Sequence, residues 1–312
     1  MEKTATRDAY GKVLQKLGEL DKEIVVLDAD LSGSTRTNKF AEKFPDRFFN
    51  MGIAEMDMTV TAAGLAAAGK KPFISTFAVF ATGRAWEPIR QSIAHPKINV
   101  KIVATHAGIT VGEDGASHQA LEDITLMRVL PNMRVFVPAD AVETEKLILE
   151  IAKDNEPAYV RLGRGKTPVI FDDNYKFIQG KNSKLRDGNT VSIFATGICV
   201  YESLKAADIL KEKGINASVI NVSSIKPIDE QSIIEEAEKT GKIVSVEEHN
   251  IIGGLGSAIA EVLVKNRPVQ MEMIGINDRF GTSGNDNQLV KYFGLDSESI
   301  AKRIEDFIKK TV

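Results

Sequence analysis

The chain has 312 residues, 43% of them hydrophobic and 27% charged, which is typical of a globular protein of about two domains. Its formal net charge of −3 gives no indication of a nucleic-acid or membrane partner, and no apolar run reaches the roughly 18 residues that a membrane span needs. Cys199 is the only cysteine, so an internal disulfide and a cysteine-based metal cluster are excluded. The charged N-terminus lacks the apolar core of a signal peptide, and we expect a cytoplasmic protein.

The first half of the chain alternates between strand-like and helix-like patterns, which predicts a mostly parallel sheet flanked by helices. Near-continuous apolar runs, typical of strands buried on both faces, predict strands at Glu23–Leu27, Pro72–Thr76, Val100–Thr105, Val135–Val137 and Ala158–Leu162. Helical patterns lie at Ala5–Leu17, Glu55–Ala68, Arg84–Ala94, Gln119–Leu130 and Ala141–Lys153. We assign residues 1–175 to this first domain.

The periodicity is lost over Pro168–Asn189, which we interpret as a linker. A second α/β unit follows, with strands predicted near Val191–Ala195, Ala217–Asn221, Lys242–Val246 and Val269–Ile274. Its predicted helices are Cys199–Lys213, Asp229–Lys239, Gly254–Lys265 and Ser297–Lys309. We assign residues 188–312 to this second domain, so the fold class is α/β with two mostly parallel sheets.

The segment Thr105–Gln119 holds two of the four histidines, His106 and His118, on either side of an acidic, glycine-rich bend that contains Asp114. It follows a predicted strand, and ligands bind at the carboxyl ends of parallel strands. Imidazoles and a carboxylate in such a loop are suited to proton transfer and to the recognition of hydroxyl groups.

Two further features precede this loop. The sequence Gly52-Ile53-Ala54-Glu55 predicts a short turn that places Glu55 in the first turn of a helix, where a carboxylate also complements the helix dipole. Phe77 and Phe80 follow a predicted strand, and two aromatic residues at this spacing form part of a core or a surface for a flat ring.

Together, and in this order, these three features resemble the pyrimidine-binding domain of thiamine-diphosphate enzymes, and specifically of transketolase. The segment Gly112–Gln119 is the most specific part of the resemblance. The second unit resembles the transketolase C-terminal domain through Ile225–Asp229 and Glu247–Gly256, so the resemblance covers nearly the whole chain.

The resemblance implies a cofactor site for thiamine diphosphate. Glu55 matches the glutamate that hydrogen-bonds a ring nitrogen of the aminopyrimidine, and it is therefore a predicted catalytic and cofactor-binding residue. Phe77 and Phe80 match aromatic residues that pack on the pyrimidine, and Asp30 is also assigned to the cofactor site. A third family aromatic falls at Gly83, next to Arg84, where the chain departs from the transketolase pattern.

The resemblance also implies a sugar-phosphate substrate. Asp114 and His118 match residues that contact the oxygens on C1 and C2 of the donor, and His118 is a predicted catalytic residue that moves protons. The residues that match phosphate ligands are Arg7, Ser34, His106 and Arg164.

The family holds Mg²⁺ and the cofactor's diphosphate with a Gly-Asp-Gly motif followed by asparagine, and no Gly-Asp-Gly occurs in this sequence. The chain begins where the pyrimidine-binding domain is expected to begin. The resemblance therefore implies the C-terminal subunit of a split transketolase that is inactive alone. A separate N-terminal-type subunit would carry the Mg²⁺ ligands, in an α₂β₂ assembly.

Three alternatives stay open at this point. Deoxyxylulose-phosphate synthase has a similar histidine-containing loop and a nearby arginine, but it is normally one long chain. The β subunit of a 2-oxo-acid dehydrogenase is naturally separate but usually lacks the acidic loop and the phosphate-binding arginines. A non-catalytic subunit with this fold is the third alternative, although Glu55, His106, Asp114 and His118 are all present.

Overall fold

The computed structural model describes residues 2–310, and within that range the strands form three sheets. The strands are β1 (Lys3–Ala5), β2 (Ile24–Asp28), β3 (Phe48–Asn50), β4 (Lys71–Ser75), β5 (Lys101–Ala104), β6 (Arg134–Phe136), β7 (Ala158–Arg161), β8 (Lys166–Pro168), β9 (Ser183–Arg186), β10 (Val191–Ala195), β11 (Ala217–Asn221), β12 (Ser224–Lys226), β13 (Lys242–Asn250) and β14 (Gln270–Ile276). The helices are α1 (Thr6–Leu20), α2 (Ser32–Thr35), α3 (Asn38–Lys43), α4 (Glu55–Ala67), α5 (Trp86–Pro88), α6 (Asp123–Arg128), α7 (Ala141–Ile151), α8 (Cys199–Glu212), α9 (Glu230–Thr240), α10 (Leu255–Asn266), α11 (Asp286–Tyr292) and α12 (Ser297–Lys310).

Two mostly parallel sheets confirm the predicted fold class. The first has the order β12-β6-β7-β5-β4-β2-β3 and is parallel except where β12 pairs with β6. The second has the order β14-β13-β10-β11-β9 and is parallel except where β9 pairs with β11. A two-stranded antiparallel ribbon of β1 and β8 completes the set.

The central strands are buried because their sequences are apolar on both faces. Every residue of β2, β5, β10 and β11 is buried, which matches the continuous apolar runs and reflects helices on both sides of each sheet. The helices bury one face each; in α1 the buried residues include Tyr10, Leu14 and Leu17, spaced at three and four residues.

Two predicted helices are wrong in extent. The predicted helix Arg84–Ala94 is instead a π-helical turn (Phe80–Arg84), the short α5 and a second π-helical turn (Ile89–Ala94). Pro88 lies inside this stretch and cannot donate a backbone hydrogen bond, so a regular α-helix is interrupted there. The predicted helix Gln119–Leu130 begins only at Asp123, because Ala120 instead forms a β-bridge with Ala107.

The predicted linker Pro168–Asn189 is also more ordered than expected. It contains β9, which forms an edge of the second sheet, and Phe177, which is buried in the core of the first. Conversely, β12 lies in the second half of the chain but pairs with β6 of the first sheet. Strand β12 of the second unit therefore belongs to the sheet of the first, and the boundaries at residues 175 and 188 stay predictions.

Candidate active site

The carboxyl ends of four neighbouring strands bring the predicted site residues to one edge of the first sheet. Asp30 follows β2, Phe77 follows β4, His106 follows β5 and Arg164 follows β7, and these strands are adjacent in the order β7-β5-β4-β2. Parallel strands place such residues side by side even when they are distant in sequence. Loops and helix termini supply the remaining residues.

Phe77 and Phe80 form an aromatic wall. Their rings stack with centroids 5.9 Å apart and an interplanar angle of 13°. His118 and Phe80 meet in a T-shaped arrangement with ring centroids 5.5 Å apart, and His106 stacks on Phe77 with centroids 3.8 Å apart. Stacked and edge-on rings at these distances make a flat apolar surface with two imidazoles at its border.

Glu55 lies beside this wall as the first residue of α4. It is only 4% exposed, and its Oε1 accepts a hydrogen bond from Arg84 Nη1 at 3.1 Å. The guanidinium of Arg84 lies over the Phe80 ring at 4.5 Å. Arg84 therefore covers the edge of the wall where the transketolase resemblance expects an aromatic residue.

His106 has a constrained backbone and a defined tautomer. Its φ of +57° lies in the left-handed region, which is uncommon for a residue with a side chain. Arg7 Nη1 can only donate, so His106 Nε2 accepts at 3.4 Å and Nδ1 donates to Thr105 Oγ1 at 2.8 Å. Burial, together with Arg7, lowers the pKa of His106 to about 3, so the ring is neutral at neutral pH.

Cationic side chains gather beyond His106. Arg7 and Arg164 line one cavity of about 510 Å³ together with Lys166. Burial and the neighbouring Arg36 lower the pKa of Arg7, and its Nε is buried without a hydrogen-bond partner among residues 2–310. Arg164 donates to the carbonyl of Val111 and to Glu113 Oε2, the latter at 3.2 Å. Such an excess of guanidinium groups is suited to a phosphate or another anion.

A continuous chain of contacts thus joins both ends of the predicted site, from Glu55 through Arg84, Phe80, Phe77 and His106 to Arg7. Three other predicted residues contribute no side chain to this series of contacts. Ser34 contributes its backbone carbonyl to Arg7 at 2.9 Å, and Asp30 is exposed and accepts from Asn50 at 2.9 Å. Asp114 is exposed on the loop between the two histidines.

Sequence reasoning missed several residues that shape the site. Arg36 adds a cation and forms an ion pair with Asp8 at 2.6 Å, and Asp286 reaches the cationic cavity from the second domain. Arg161, Asp123 and Glu248 form a buried network beneath the loop Thr105–Gln119. No spacing in the sequence indicates that these residues meet, because they come from different helices, strands and loops and from both domains.

Two searches limit what the described chain can hold. Among residues 2–310, no group of three or more His, Cys, Asp or Glu side chains could hold a metal ion. Over the same residues, no helix combines the length and the apolar character needed to cross a bilayer.

Comparisons with known proteins agree with this architecture. The family model of the transketolase pyrimidine-binding domain matches residues 2–169, and that of the transketolase C-terminal domain matches residues 180–300. A protein of Methanocaldococcus jannaschii assigned as a transketolase C-terminal section is 53% identical over 307 residues, covering 97% of this chain and 96% of the relative. One of the subunits of the apulose-4-phosphate transketolase of Phocaeicola vulgatus is 40% identical over 307 residues and covers 98% of both chains. A solved structure described as an inactive beta4 tetramer of a split gene transketolase has a TM-score of 0.90 and 49% identity, with 99% of each chain covered.

Proposed function

Because the chain belongs to the transketolase family, we propose that it is the C-terminal subunit of a two-chain transketolase. The reaction is the transfer of a two-carbon ketol unit from a ketose phosphate to an aldose phosphate. The single observation that carries the proposal is the contact chain from Glu55 to Arg7, which links a carboxylate and an aromatic wall to a cationic cavity. A cofactor ring and a phosphorylated substrate require those two features side by side.

The residues present fit the aminopyrimidine end of thiamine diphosphate. Phe77 and Phe80 offer a flat surface for the ring, and buried Glu55 offers a carboxyl group for a ring nitrogen. When bound, the cofactor supplies the nucleophilic carbon and the electron sink for cleavage next to a carbonyl group. We assign the Mg²⁺ ligands to the partner subunit, because the Gly-Asp-Gly motif that holds this ion in the family does not occur in the sequence of this chain.

The chain's own residues would orient the sugar phosphate and move protons. Arg7 and Arg164 would bind the phosphate with charge-assisted hydrogen bonds, and neutral His106 would add one more. Half-buried His118, held by Ser117 at 2.9 Å, would exchange protons with the substrate hydroxyls, and exposed Asp114 would accept a hydrogen bond from one of them. Asp30 and Ser34 border the same edge and keep their predicted roles as part of the proposal.

The requirement for a partner is supported by the exposed side of α4. Ile53, just before α4, is 77% exposed, and Met56 and Val60 within it are 53% and 51% exposed, so exposed apolar side chains lie near Glu55 in the sequence. An exposed apolar face beside a site is typical of a protein–protein interface. The inactive state described for the β tetramer of the split relative also supports dependence on an N-terminal-type subunit, which we propose forms an α₂β₂ complex. A cytoplasmic location is part of the proposal and agrees with the buried, free Cys199.

The decisive experiment is reconstitution with the subunit that copurifies with this chain. We expect transfer from xylulose 5-phosphate to ribose 5-phosphate by the complex with thiamine diphosphate and Mg²⁺, and no turnover by the chain alone. Turnover by the chain alone would refute the dependence on a partner. Condensation of pyruvate with glyceraldehyde 3-phosphate would instead favour a deoxyxylulose-phosphate synthase, and oxidative decarboxylation of a 2-oxo acid a dehydrogenase β subunit.

A matched pair of variants tests the role of Glu55. Glu55→Gln should lower the turnover of the complex by about 10²- to 10⁴-fold, the usual contribution of a positioned acid–base group. Glu298→Gln removes an exposed carboxylate from the first turn of another helix, α12, and should leave turnover within about twofold. Undiminished turnover of Glu55→Gln would indicate a non-catalytic subunit.

A further inference from the structure

The second domain reaches beneath the loop Thr105–Gln119 with one buried carboxylate. Glu248, in β13, is 4% exposed, and its Oε1 accepts a hydrogen bond from the backbone N–H of Thr110 at 2.7 Å. The loop leaves room for this side chain at Gly108, where a Cβ atom would lie 2.2 Å from Glu248 Cδ and φ is +82°. Glycine at this position therefore lets the carboxylate approach the backbone of the loop.

Arg161 connects Glu248 with the backbone at the far end of the loop. Its Nη2 donates to the backbone carbonyl of Glu248 at 2.9 Å and to that of Ala120 at 3.2 Å. Its Nε donates to Asp123 Oδ2 at 2.8 Å, and its Nη1 lies 3.9 Å from Glu248 Oε2. One buried network thus contacts the backbone both before and after the bend.

A second contact between the domains lies at the end of the loop. Gln119 Nε2 donates to the carbonyl of Ile109 at 3.0 Å, closing the loop on itself, and to the carbonyl of Thr282 at 2.9 Å in the second domain. The outer residues of the bend, by contrast, face solvent, and Asp114 and Ser117 are both exposed. The position of the bend therefore depends on its inner, buried contacts.

From this arrangement we infer that Glu248 is a positioning residue, through which the second domain holds the loop that carries Asp114 and His118. It acts through the N–H of Thr110 and does not touch the substrate. The roles of Asp114 and His118 rest on the proposed function, whereas the mechanical link between Glu248 and the loop does not. The inference gives the C-terminal domain a defined contribution to the site.

Backbone hydrogen exchange of the full-length chain tests the link without any activity assay. In Glu248→Ala, we expect the amides between Thr110 and His118 to exchange at least about tenfold faster, since the buried acceptor of the Thr110 N–H is lost. In Glu248→Gln, the amide oxygen still accepts from Thr110, so exchange should return most of the way to the wild-type rate.

The matched control is Glu236→Ala. Glu236 is a carboxylate of the same domain that is only 2% exposed, but it bonds to Ser192 at 2.6 Å and has no contact with the loop. It should leave the exchange of residues 110–118 unchanged. Gly108→Ala provides an independent test, because its methyl group displaces Glu248; it should accelerate the same amides as Glu248→Ala.

The outcomes separate this inference from the proposed function. Unchanged loop exchange in Glu248→Ala, or acceleration spread evenly over the whole chain, would overturn the inference and leave the function standing. If the loop loosens as expected, the reconstituted complex should lose at least about tenfold in kcat/KM with Glu248→Ala and recover most of it with Glu248→Gln. Loop loosening without any loss of kcat/KM would also overturn the positioning role, whereas a wild-type complex without transketolase activity would contradict only the proposed function.

Discussion

Arg161 and Arg7 both lie close to the loop Thr105–Gln119, and the charges that surround them are opposite in sign. Arg161 is buried between Asp123 and Glu248, and although burial opposes its charge, these carboxylates raise its pKa. Arg7 is half-buried beside further cations, and both this burial and Arg36 lower its pKa. Its Nε has no partner within residues 2–310, whereas Arg161 donates from Nε to a carboxylate and from Nη2 to two carbonyls.

The difference distinguishes a structural cation from one that is arranged to meet a ligand. A buried charge is tolerated when the protein supplies its counter-charge, as Asp123 does for Arg161. A cluster of like charges without enough counter-charge lowers the stability of the fold unless an anion arrives. We therefore predict that Arg161 contributes to the stability of the fold and that Arg7 contributes to the binding of an anion.

The largest expected effect comes from removing the counter-charge of Arg161. Asp123, which is 1% exposed, accepts from both Tyr159 and Arg161. Asp123→Ala should lower the free energy of unfolding by about 3–5 kcal/mol, measured by urea denaturation, because it leaves a buried cation with an incomplete set of partners.

Asp8→Ala is the control, since Asp8 pairs with Arg36 on the partly exposed side of the site. It should cost about 1 kcal/mol or less. Equal losses of stability from Asp123→Ala and Asp8→Ala would contradict the distinction between the surroundings of Arg161 and those of Arg7.

The next effect should appear in binding rather than in stability. Arg7→Gln removes a guanidinium that faces Arg36 and Arg164, so the free energy of unfolding should stay the same or rise slightly. The KM of the complex for a phosphorylated substrate should rise by about 10- to 100-fold, as expected for the loss of a charge-assisted hydrogen bond.

Thermal denaturation of the chain with added inorganic phosphate gives a second measurement of the same site. The wild type should gain stability with phosphate and Arg7→Gln should gain less, while Arg90→Gln, an exposed arginine elsewhere, should behave as the wild type. A large loss of stability in Arg7→Gln would show that Arg7, like Arg161, is a structural cation.

The contributions of His106, beside Arg7, and of Glu248, beside Arg161, to the stability of the fold should change with pH in opposite directions. His106 has a pKa of about 3 when folded and near 6.5 when unfolded, so its contribution to stability is lost as the pH falls below about 6.5. Burial raises the pKa of Glu248 to about 7 from an ordinary value of 4.5, so its contribution is lost as the pH rises through about 7.

Variants separate these two effects. The stability difference between the wild type and His106→Asn should shrink on acidification from pH 7 to 5, and the difference between the wild type and Glu248→Gln should grow over the same range. Asparagine is chosen because it tolerates the positive φ of residue 106. The same trend with pH for both pairs would contradict the assignment of their pKa shifts.

The smallest change in the free energy of unfolding is expected from a substitution of Arg84, whose surroundings are intermediate between those of Arg161 and those of Arg7. It pairs with buried Glu55 at 3.1 Å, but its own side chain is 54% exposed. Arg84→Met should change the free energy of unfolding by about 1 kcal/mol or less in urea denaturation, because water screens the pair. A loss of stability as large as that of Asp123→Ala would show that Arg84 is a structural cation like Arg161.

Much of the fold could be predicted from local patterns. The apolar runs of β2, β5 and β10 and the amphipathic course of α1 are visible in the sequence because burial on two faces or on one face dictates composition directly. The short elements were missed because three-residue strands such as β12 exist only through pairing with a distant neighbour. The helix expected from Gln119 was shortened for a similar reason, since Ala120 pairs with Ala107 in a β-bridge.

The sequence by itself determined the alternation of strands and helices, the family, and the identities of the predicted site residues, because these depend on residue type and order along the chain. Only the tertiary structure decided which charges meet. His106 is neutral because Arg7 and burial act on it, and Arg161 and Arg7 differ because one faces carboxylates and the other faces cations. Those relations arise between residues far apart in the sequence, such as Arg7 and Arg164, and electrostatic energies depend on distance and burial, which no local pattern records.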